Sequence, residues 1–490
     1  MNKLPYDNSN LEDIIEYSKK LIHLRFSEIL ERNLEGDRLK ESVSKYNSLN
    51  RKGGLGNLIE EYFYLYKPNS DSSPDFKDVG LEIKVVPYDR KKKGIRAGER
   101  LVITMIPNDR PIEKEFKNSH LEKKMRLMLM IWYHRQKNIP KTEFMIDYVN
   151  LYNLYSEILR KDLPIILDDY KIIVDKIISG NAHKLSEADT RYLGACTKGA
   201  NAKKSLQPQY YNSKIPAKKR AFSLKQSYMN YILNNYVCKG LMNCDSIFKN
   251  KELESGNFDV QVLNKINKFI GLSEKELYSK FLFNLKSKPK HINKILINKI
   301  LGINTDNSEE FEKAGIVIKT IRTRKNGMPR EDMSFSKIII KKFVEQKFES
   351  SREYEFFEKT RFLFVVFKEN ENKEYIFKGA KFWNMPITEL ETTGRKEWLL
   401  YKNKFEKGVN FFINENNGKI IIENDLPKKT ETEIFHVRLH SRNSAYIING
   451  KKYGKGKESD MDELPDGNKM THQCFWLNKQ YIANIIKDMK

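Results

Sequence analysis

Apolar and polar side chains nearly alternate from Leu81 to Val86. A period of two predicts a strand with Leu81, Ile83 and Val85 on one face and Glu82 and Lys84 on the other. Upstream, Ile14, Ile15, Leu21, Ile22, Leu24, Ile29 and Leu30 recur at helical spacing, which predicts an amphipathic helical entry from Leu11 to Leu34. The glycines of Lys52-Gly53-Gly54-Leu55-Gly56 lead into a helix from Asn57 to Phe63, with Asn57 as its expected N-cap and Glu60 in its first turn. Beyond the central strand, Asp89 to Gly98 reads as a basic turn and Glu99 to Thr104 as a second strand, together a hairpin. Ser119 to Trp132 passes from a basic segment into a buried strand, and Ile165–Ile178 and Tyr228–Tyr236 read as helices. Ser186 with Asp189 resembles a capping box opening a short helix.

At 490 residues the chain exceeds one ordinary core, so two or three domains are expected. A net charge of +24 favours a polyanionic partner, of which nucleic acid is the commonest; a generally lysine-rich proteome is the plainer source of such charge. Cys196, Cys238, Cys244 and Cys474 form no C-x-x-C pair and have no partnering histidines, which argues against zinc and for free thiols in a reducing compartment. No signal-type apolar run opens the sequence, and no stretch of about 18 apolar residues follows. The expectation is a soluble, cytoplasmic protein without membrane contact. The glycines near Gly53 match no phosphate-cradling pattern, so no nucleotide is expected.

The chemistry concentrates at Ser73-Pro74-Asp75 and Glu82-Ile83-Lys84. A carboxylate and an ammonium two apart on a strand, with a second carboxylate arriving from the preceding loop, can hold Mg²⁺ and a water side by side. Glu60 could face this cluster; taken alone, it reads more often as a surface glutamate. Arg90, Lys91, Lys92, Lys93 and Arg96 at a hairpin tip are placed to touch phosphates, or form a solvated loop. The stretches Thr197–Lys204 (with Lys198, Asn201 and Lys203) and Lys218–Gln226 (with Ser223 and Lys225) carry side chains able to reach base edges. Their plainer readings are a glycine-containing turn and a basic loop before a helix.

The first half recurs in the second. Asn69, Asp71, Ser73, Phe76, Gly80, Ile83 and Lys84 return 235 residues later as Asn304, Asp306, Ser308, Phe311, Gly315, Ile318 and Lys319. EKKMRLMLMIW is echoed by EKTRFLFVVF, Lys198/Asn201 by His440/Asn443, and Phe222-Ser223-Leu224 by Phe475-Trp476-Leu477. In this copy Val317 stands for Glu82, Ile295 for Glu60 and Glu310 for Asp75, so the same metal site cannot assemble. Arg322, Arg324, Lys325, Arg330, Arg438, His440 and Arg442 remain, which implies binding without cutting.

On these residues the chain resembles the MutH/Sau-type endonucleases: the mismatch-repair nickase MutH and the two-domain, GATC-cutting type II restriction enzymes of the PD-(D/E)xK superfamily. SDSSPDFKDVGLEIK, AHKLSEADTRYLGACTKGANA, KKRAFSLKQSYMNYIL, EKAGIVIKTI, TRFLF and CFWLNKQYI carry the resemblance to the restriction branch over nearly the whole chain; MutH covers only the first half. The resemblance implies an α/β (mixed α+β) fold of two tandem restriction-endonuclease-like domains, each a central mixed sheet flanked by helices, the second catalytically degenerate. The expected division is a catalytic domain over 1–238, a linker over 239–258 and a DNA-binding regulatory domain over 259–490. It implies Mg²⁺-dependent hydrolysis of double-stranded DNA at GATC, leaving 5′-phosphates; with one competent centre per chain and two strands to cut, the expectation is that two chains self-associate on the DNA or that one chain nicks twice in sequence. Asp75 and Glu82 are then metal ligands, Lys84 the signature lysine, Glu60 the family's helix acid, and Lys124, or equally Lys123, a further catalytic lysine. Lys198 is similar to the base-reading lysine, and Ser223 replaces the tyrosine that assists it in MutH. Arg438, His440, Arg442 and Trp476 are the expected DNA contacts of the second domain. A MutH-like nickase and a non-catalytic DNA-binding protein are the alternatives.

Overall fold

The alternation at Leu81–Val86 is a strand, and in the computed structural model of the chain it runs on to Lys91. Residues 4–48, 54–68, 73–92, 94–199, 205–248, 257–282, 289, 291–416, 419–441 and 443–489 are described. They divide into two units, Met1–Phe258 with Ile303–Gly315, and Asp259–Gly302 with Ile316–Lys490.

In the first unit Leu81–Lys91 is second in a four-stranded sheet, between Gly94–Ala97 and Leu127–His134, with Met145–Asn153 at the far edge. It runs parallel to Leu127–His134, Glu82 opposite Met128 and Lys84 opposite Met130. A parallel pair needs a crossover, and this one ends in a short helix, His120–Met125, whose N-cap Ser119 accepts from the Glu122 N–H. Leu81 and Ile83 are buried with Leu129, Ile131 and Ile146 against Ile14, Phe26, Leu30 and Leu58 of the upstream helices. Each such aliphatic side chain contributes about 2 kcal/mol by burial. A one-residue slip would turn Lys84 into that core, so the apolar face fixes where Glu82 points.

Four expectations change. The single helical entry is two helices, Leu11–Lys19 and Phe26–Glu31. Between them His23, at φ 70°, donates its N–H to the Ile146 carbonyl (2.7 Å) and Leu24 accepts from the Ile146 N–H (2.9 Å), so pairing with the sheet edge interrupts the helix. Asn57 is not an N-cap: the helix is already formed at Gly54–Leu58, because Leu55 and Leu58 bury in the core, and it widens into a π-helical turn over Ile59–Phe63. The hairpin is tighter than expected, Tyr88–Lys91 folding back on Gly94–Ala97. Leu101–Ile106 instead joins a second sheet beside Arg220–Leu224 and Leu193–Thr197, where Leu101, Ile103 and Ile106 are buried. Finally, Lys218–Gln226 is not a basic loop but contains that buried central strand, the Arg220 guanidinium donating to the Ala195 carbonyl at 2.6 Å.

The segment Ile303–Gly315 belongs to the first unit although the second copy begins with it. Its helix Glu309–Ala314 carries Lys313, which is buried. The Lys313 ammonium meets Asp162 (2.6 Å), Glu309 (2.7 Å) and the Tyr236 hydroxyl (3.2 Å), over the Tyr231 ring at 4.6 Å. Tyr228 donates to the other Asp162 oxygen at 2.9 Å.

The second unit repeats the first unit's strand plan. Ile316–Thr323 is parallel to Arg361–Glu369, which is antiparallel to Tyr375–Trp383. The Ser351-capped helix Arg352–Lys359 precedes the middle strand as the Ser119-capped helix does in the first. A second sheet orders Met333–Lys337, Gln473–Leu477 and Phe435–Leu439, matching Leu101–Ile106, Arg220–Leu224 and Leu193–Thr197. Gly80 and Gly315 hold the same left-handed turn before the first strand, φ 67° and 65°. Among the described residues no helix is long and apolar enough to cross a membrane.

Replacing Lys313 by Met should lower the unfolding free energy by about 3 kcal/mol, since Asp162 would stay buried without its cation. Urea denaturation reads this, and adding Asp162→Asn should restore part of the loss.

Candidate active site

Asp75 is brought to the Glu82 strand by a short loop. Phe76 and Leu81 exchange both backbone hydrogen bonds (2.9 and 3.1 Å), and Gly80 supplies the left-handed turn that closes it. The Asp75 Oδ2 then accepts from the Ile83 N–H at 2.7 Å. Glu82, on the polar face of the strand, is buried. Its Oε1 accepts from Lys84 Nζ at 2.6 Å and from Lys124 Nζ at 3.3 Å. Its Oε2 is buried and has no hydrogen-bond partner. Lys124, in the last turn of the Ser119-capped helix, therefore belongs to the cluster, whereas Lys123 is exposed. That separates the two lysines between which the sequence left the register open.

Glu60 lies in the widened turn Ile59–Phe63, a helix irregularity of the kind frequent at functional sites. Burial first, and then the Asp75 charge, push its carboxyl up to about 7, while Lys84 and Lys124 pull it down. Burial and the Glu82 charge push Asp75 up to about 6, against the Ile83 N–H and the same lysines. Three carboxylates thus share two ammoniums. Tyr66, which the sequence reading missed, is fixed beside them: its N–H donates to the Glu60 carbonyl at 3.0 Å and its ring meets Phe76 edge-on at 5.8 Å. Its only sequence signal was the aromatic run Tyr62, Phe63, Tyr64, Tyr66.

The leftover Glu82 oxygen and the unbalanced acid fit a hard divalent cation. Among the described residues no three His, Cys, Asp or Glu side chains converge to hold a metal. Asp75 and Glu82 could offer a pair of carboxylates to an ion that keeps several of its own waters, as Mg²⁺ does.

The expected DNA contacts fare unevenly. Lys198 is half-buried just after Leu193–Thr197, its N–H donating to the Lys219 carbonyl at 2.8 Å. Asn201, Lys203 and Arg442 lie outside the described residues, as does Lys93 of the hairpin. Ser223 and Lys225 are corrections: both are buried, Ser223 in the central strand of the second sheet and Lys225 with its ammonium donating to the Thr190 carbonyl, so neither is offered to a groove. In the second unit the Arg438 guanidinium covers the Trp476 ring at 4.5 Å and lies 3.7 Å from Asp332. His440 Nδ1 is 3.2 Å from Cys474 Sγ. On the hairpin, Lys91 pairs with Asp89 at 3.3 Å, and Lys92 and Arg96 are exposed.

The counterparts of the acidic cluster are dispersed. The Glu310 carboxylate accepts from the Ile247 N–H (3.0 and 3.1 Å), Ser246 Oγ (2.6 Å) and Ser308 Oγ (3.1 Å), capping chain within the first unit. Val317 and Lys319 lie on the first strand of the second unit, and Ile295 lies on its helix Ile292–Ile300.

A family model described as DNA mismatch repair enzyme MutH matches residues 64–169, which include Asp75, Glu82, Lys84 and Lys124. The type II restriction enzyme Sau3AI of Staphylococcus aureus is 32% identical over 501 residues, covering 96% of this chain and 99% of that protein. The DNA mismatch repair proteins MutH of Escherichia coli (strain SMS-3-5 / SECEC) and Serratia proteamaculans (strain 568) are each 23% identical; they cover 39% and 48% of this chain and 80% and 96% of their own lengths. Fold and similarity together define a deoxyribonuclease with a restriction-endonuclease-like fold. The chain belongs to the MutH/Sau-type endonuclease family, and the likeness that spans both chains is to a type II restriction enzyme. A non-catalytic DNA-binding protein is thereby set aside.

Raised carboxyl pKa values mean that the folded state holds protons more tightly than the unfolded one between the ordinary carboxylate range and about 6 to 7. The stability they permit is fully present at acid pH and is lost as pH rises through that window. In metal-free protein, Glu60→Gln should therefore raise the melting temperature near pH 8 and leave it unchanged near pH 4, which thermal unfolding across pH will read.

Proposed function

We propose that the protein is a type II restriction endonuclease that hydrolyses double-stranded DNA at GATC with Mg²⁺, leaving 5′-phosphates. The observation that carries this is the buried Glu82 carboxylate, bound through one oxygen by Lys84 and Lys124 with its other oxygen left over beside Asp75. A divalent cation held by Asp75 and Glu82 supplies a lowered water pKa and neutralises charge gathering on the phosphate. The Lys84 and Lys124 ammoniums stand ready for the negative charge that develops at phosphorus, the kind of preorganised stabilisation that is usually the largest catalytic contribution. Glu60, whose carboxyl is pushed up by burial and by Asp75 in the metal-free protein, stands beside this pair as an acid able to hold or take up a proton.

Lys198 is the base-reading candidate in the catalytic half, taken as residues 1–238. After a linker over 239–258, residues 259–490 bind a second site as an allosteric effector, with Arg438, His440, Arg442 and Trp476 as DNA contacts. One competent centre per chain must cut two strands, so two chains meet on the DNA or one nicks twice. The family-model match to MutH favours one other reading, a mismatch-repair nickase; similarity to a restriction enzyme over 96% of the chain favours restriction. Linear products from unmodified plasmid support restriction, and products nicked at hemimethylated sites support the nickase.

Glu82→Ala should reduce cleavage of a GATC-containing plasmid by at least about 100-fold while leaving binding in EDTA intact. Plasmids differing only in GATC sites and their methylation test the target. Normal cutting by Glu82→Ala in Mg²⁺ overturns the assignment.

A further inference from the structure

Lys319 keeps the strand position of Lys84 without the partners of Lys84. Lys84 is bound to Glu82 at 2.6 Å, two residues before it. Two residues before Lys319 stands Val317, and the Lys319 ammonium lies over the Phe335 ring, 5.4 Å from its centroid. Burial alone lowers its pKa. Among the described residues no carboxylate lies within ion-pair distance of it. Glu358, which holds the place of Lys124 before the second strand, is buried but does not pair with it. Ile295 has replaced the helix acid, and Glu310 is committed to the Ser246–Ile247 backbone in the other unit.

Other cations of the same strand region are already paired: Arg322 with Glu274 at 2.6 Å, Lys325 with Glu371 at 2.5 Å and Arg330 with Glu369 at 2.7 Å. Lys319 is different. A ring face offsets part of the cost of holding a half-buried ammonium, but it accepts none of its three N–H donors. Val317 and Lys319 are both partly buried, as Lys84 is in the first unit, so the Lys319 side chain keeps some access to solvent. The substitutions also remove the charges that would repel an anion. A carboxylate within a few ångströms of an incoming phosphate repels it even at surface dielectric.

We propose that the strand face around Val317 and Lys319 is a phosphodiester-binding site, in which the remnant of a cation pocket grips a DNA backbone phosphate through Lys319. This rests on the reading that the second unit binds DNA without cutting it. Loss of the acids and retention of the lysine are then one change, from holding a cation that faces phosphate to holding the phosphate directly. Lysine acts on phosphate as a point charge and needs no bidentate geometry, which suits a site with a single donor group.

The test uses the full chain in EDTA, with a labelled duplex containing one GATC, titrated to the stoichiometry of two duplexes per chain at several salt concentrations. Lys319→Gln should weaken the second duplex about tenfold and reduce its salt slope by about one, leaving the first duplex and the melting temperature unchanged. Lys319→Arg should bind as wild type. Val317→Glu, which rebuilds the spacing of Glu82 and Lys84, should weaken the second duplex at least as much as Lys319→Gln. Wild-type affinity and slope in Lys319→Gln overturn the proposal while leaving the second-site reading standing. Weak binding by Lys319→Arg with a lowered melting temperature also overturns it, since the role is then structural. Only one duplex per wild-type chain removes both the reading and the proposal.

Discussion

A carboxylate sealed from water must be held by cations or hydrogen bonds, and Glu82 is held on one side only. Lys84 and Lys124 share its Oε1, its Oε2 is buried without a partner, and Asp75 and Glu60 add further negative charge to the same cluster. Burying such an arrangement costs the protein stability unless something neutralises it. The surrounding architecture reads as the means of enforcing that cost. The apolar face of Leu81–Lys91 fixes the register, the Gly80 turn returns Asp75 to the strand, the widened turn presents Glu60, and the Ser119 cap starts the helix that delivers Lys124. Each of these devices is locally ordinary. Their convergence on one under-compensated carboxylate is what distinguishes the site.

The site was legible because its strongest element is local. Alternation over six residues places Glu82 and Lys84 on one face without reference to anything distant, and the loop carrying Asp75 is too short to take it elsewhere. Lys124 was harder: only a parallel pairing of Leu81–Lys91 with Leu127–His134 carries the end of its helix to Glu82, and periodicity does not report parallel partners. The same blindness misplaced Leu101–Ile106, whose alternation was read correctly but whose partner is Arg220–Leu224, more than a hundred residues away. Ser223 and Lys225 show the converse error. Their polar neighbours suggested a solvent-facing loop, yet Phe222 and Leu224 pull the segment into a sheet, and internal carbonyls satisfy the basic groups. The helix break at His23 is likewise tertiary, made by bonds to Ile146.

The repeated strand plan explains how one copy can shed its acids and remain folded. Side chains on a strand divide between two faces, and along Arg361–Phe367 both of them are buried. In the second unit Phe362, Phe364 and Val366 stay buried in a large apolar cluster around Trp398 and Phe475, with Phe362 directly beside Val317 and Phe364 beside Lys319 in the sheet. Val317 packs partly against that cluster, so replacing a carboxylate there adds apolar contact. Removing a buried acid of this kind relieves electrostatic cost, and the fold does not resist the change.

Glu310 shows what the freed acid became. Its carboxylate no longer approaches a strand of its own copy but satisfies the Ile247 N–H and Ser246 hydroxyl, while Lys313, one helical turn on, is clasped by Asp162. The Asp75 counterpart thus serves as a structural fastening, and the helix that bears it belongs to the first unit. Two residues, Ala314 and Gly315, separate the buried ion pair of Lys313 in the first unit from the strand of Lys319 in the second, with only the left-handed Gly315 between helix and strand. A glycine turn so short leaves few backbone dihedrals free. The helix that carries Glu310 and the strand that carries Lys319 are therefore joined through a single residue, which ties the direction of one closely to that of the other along the chain.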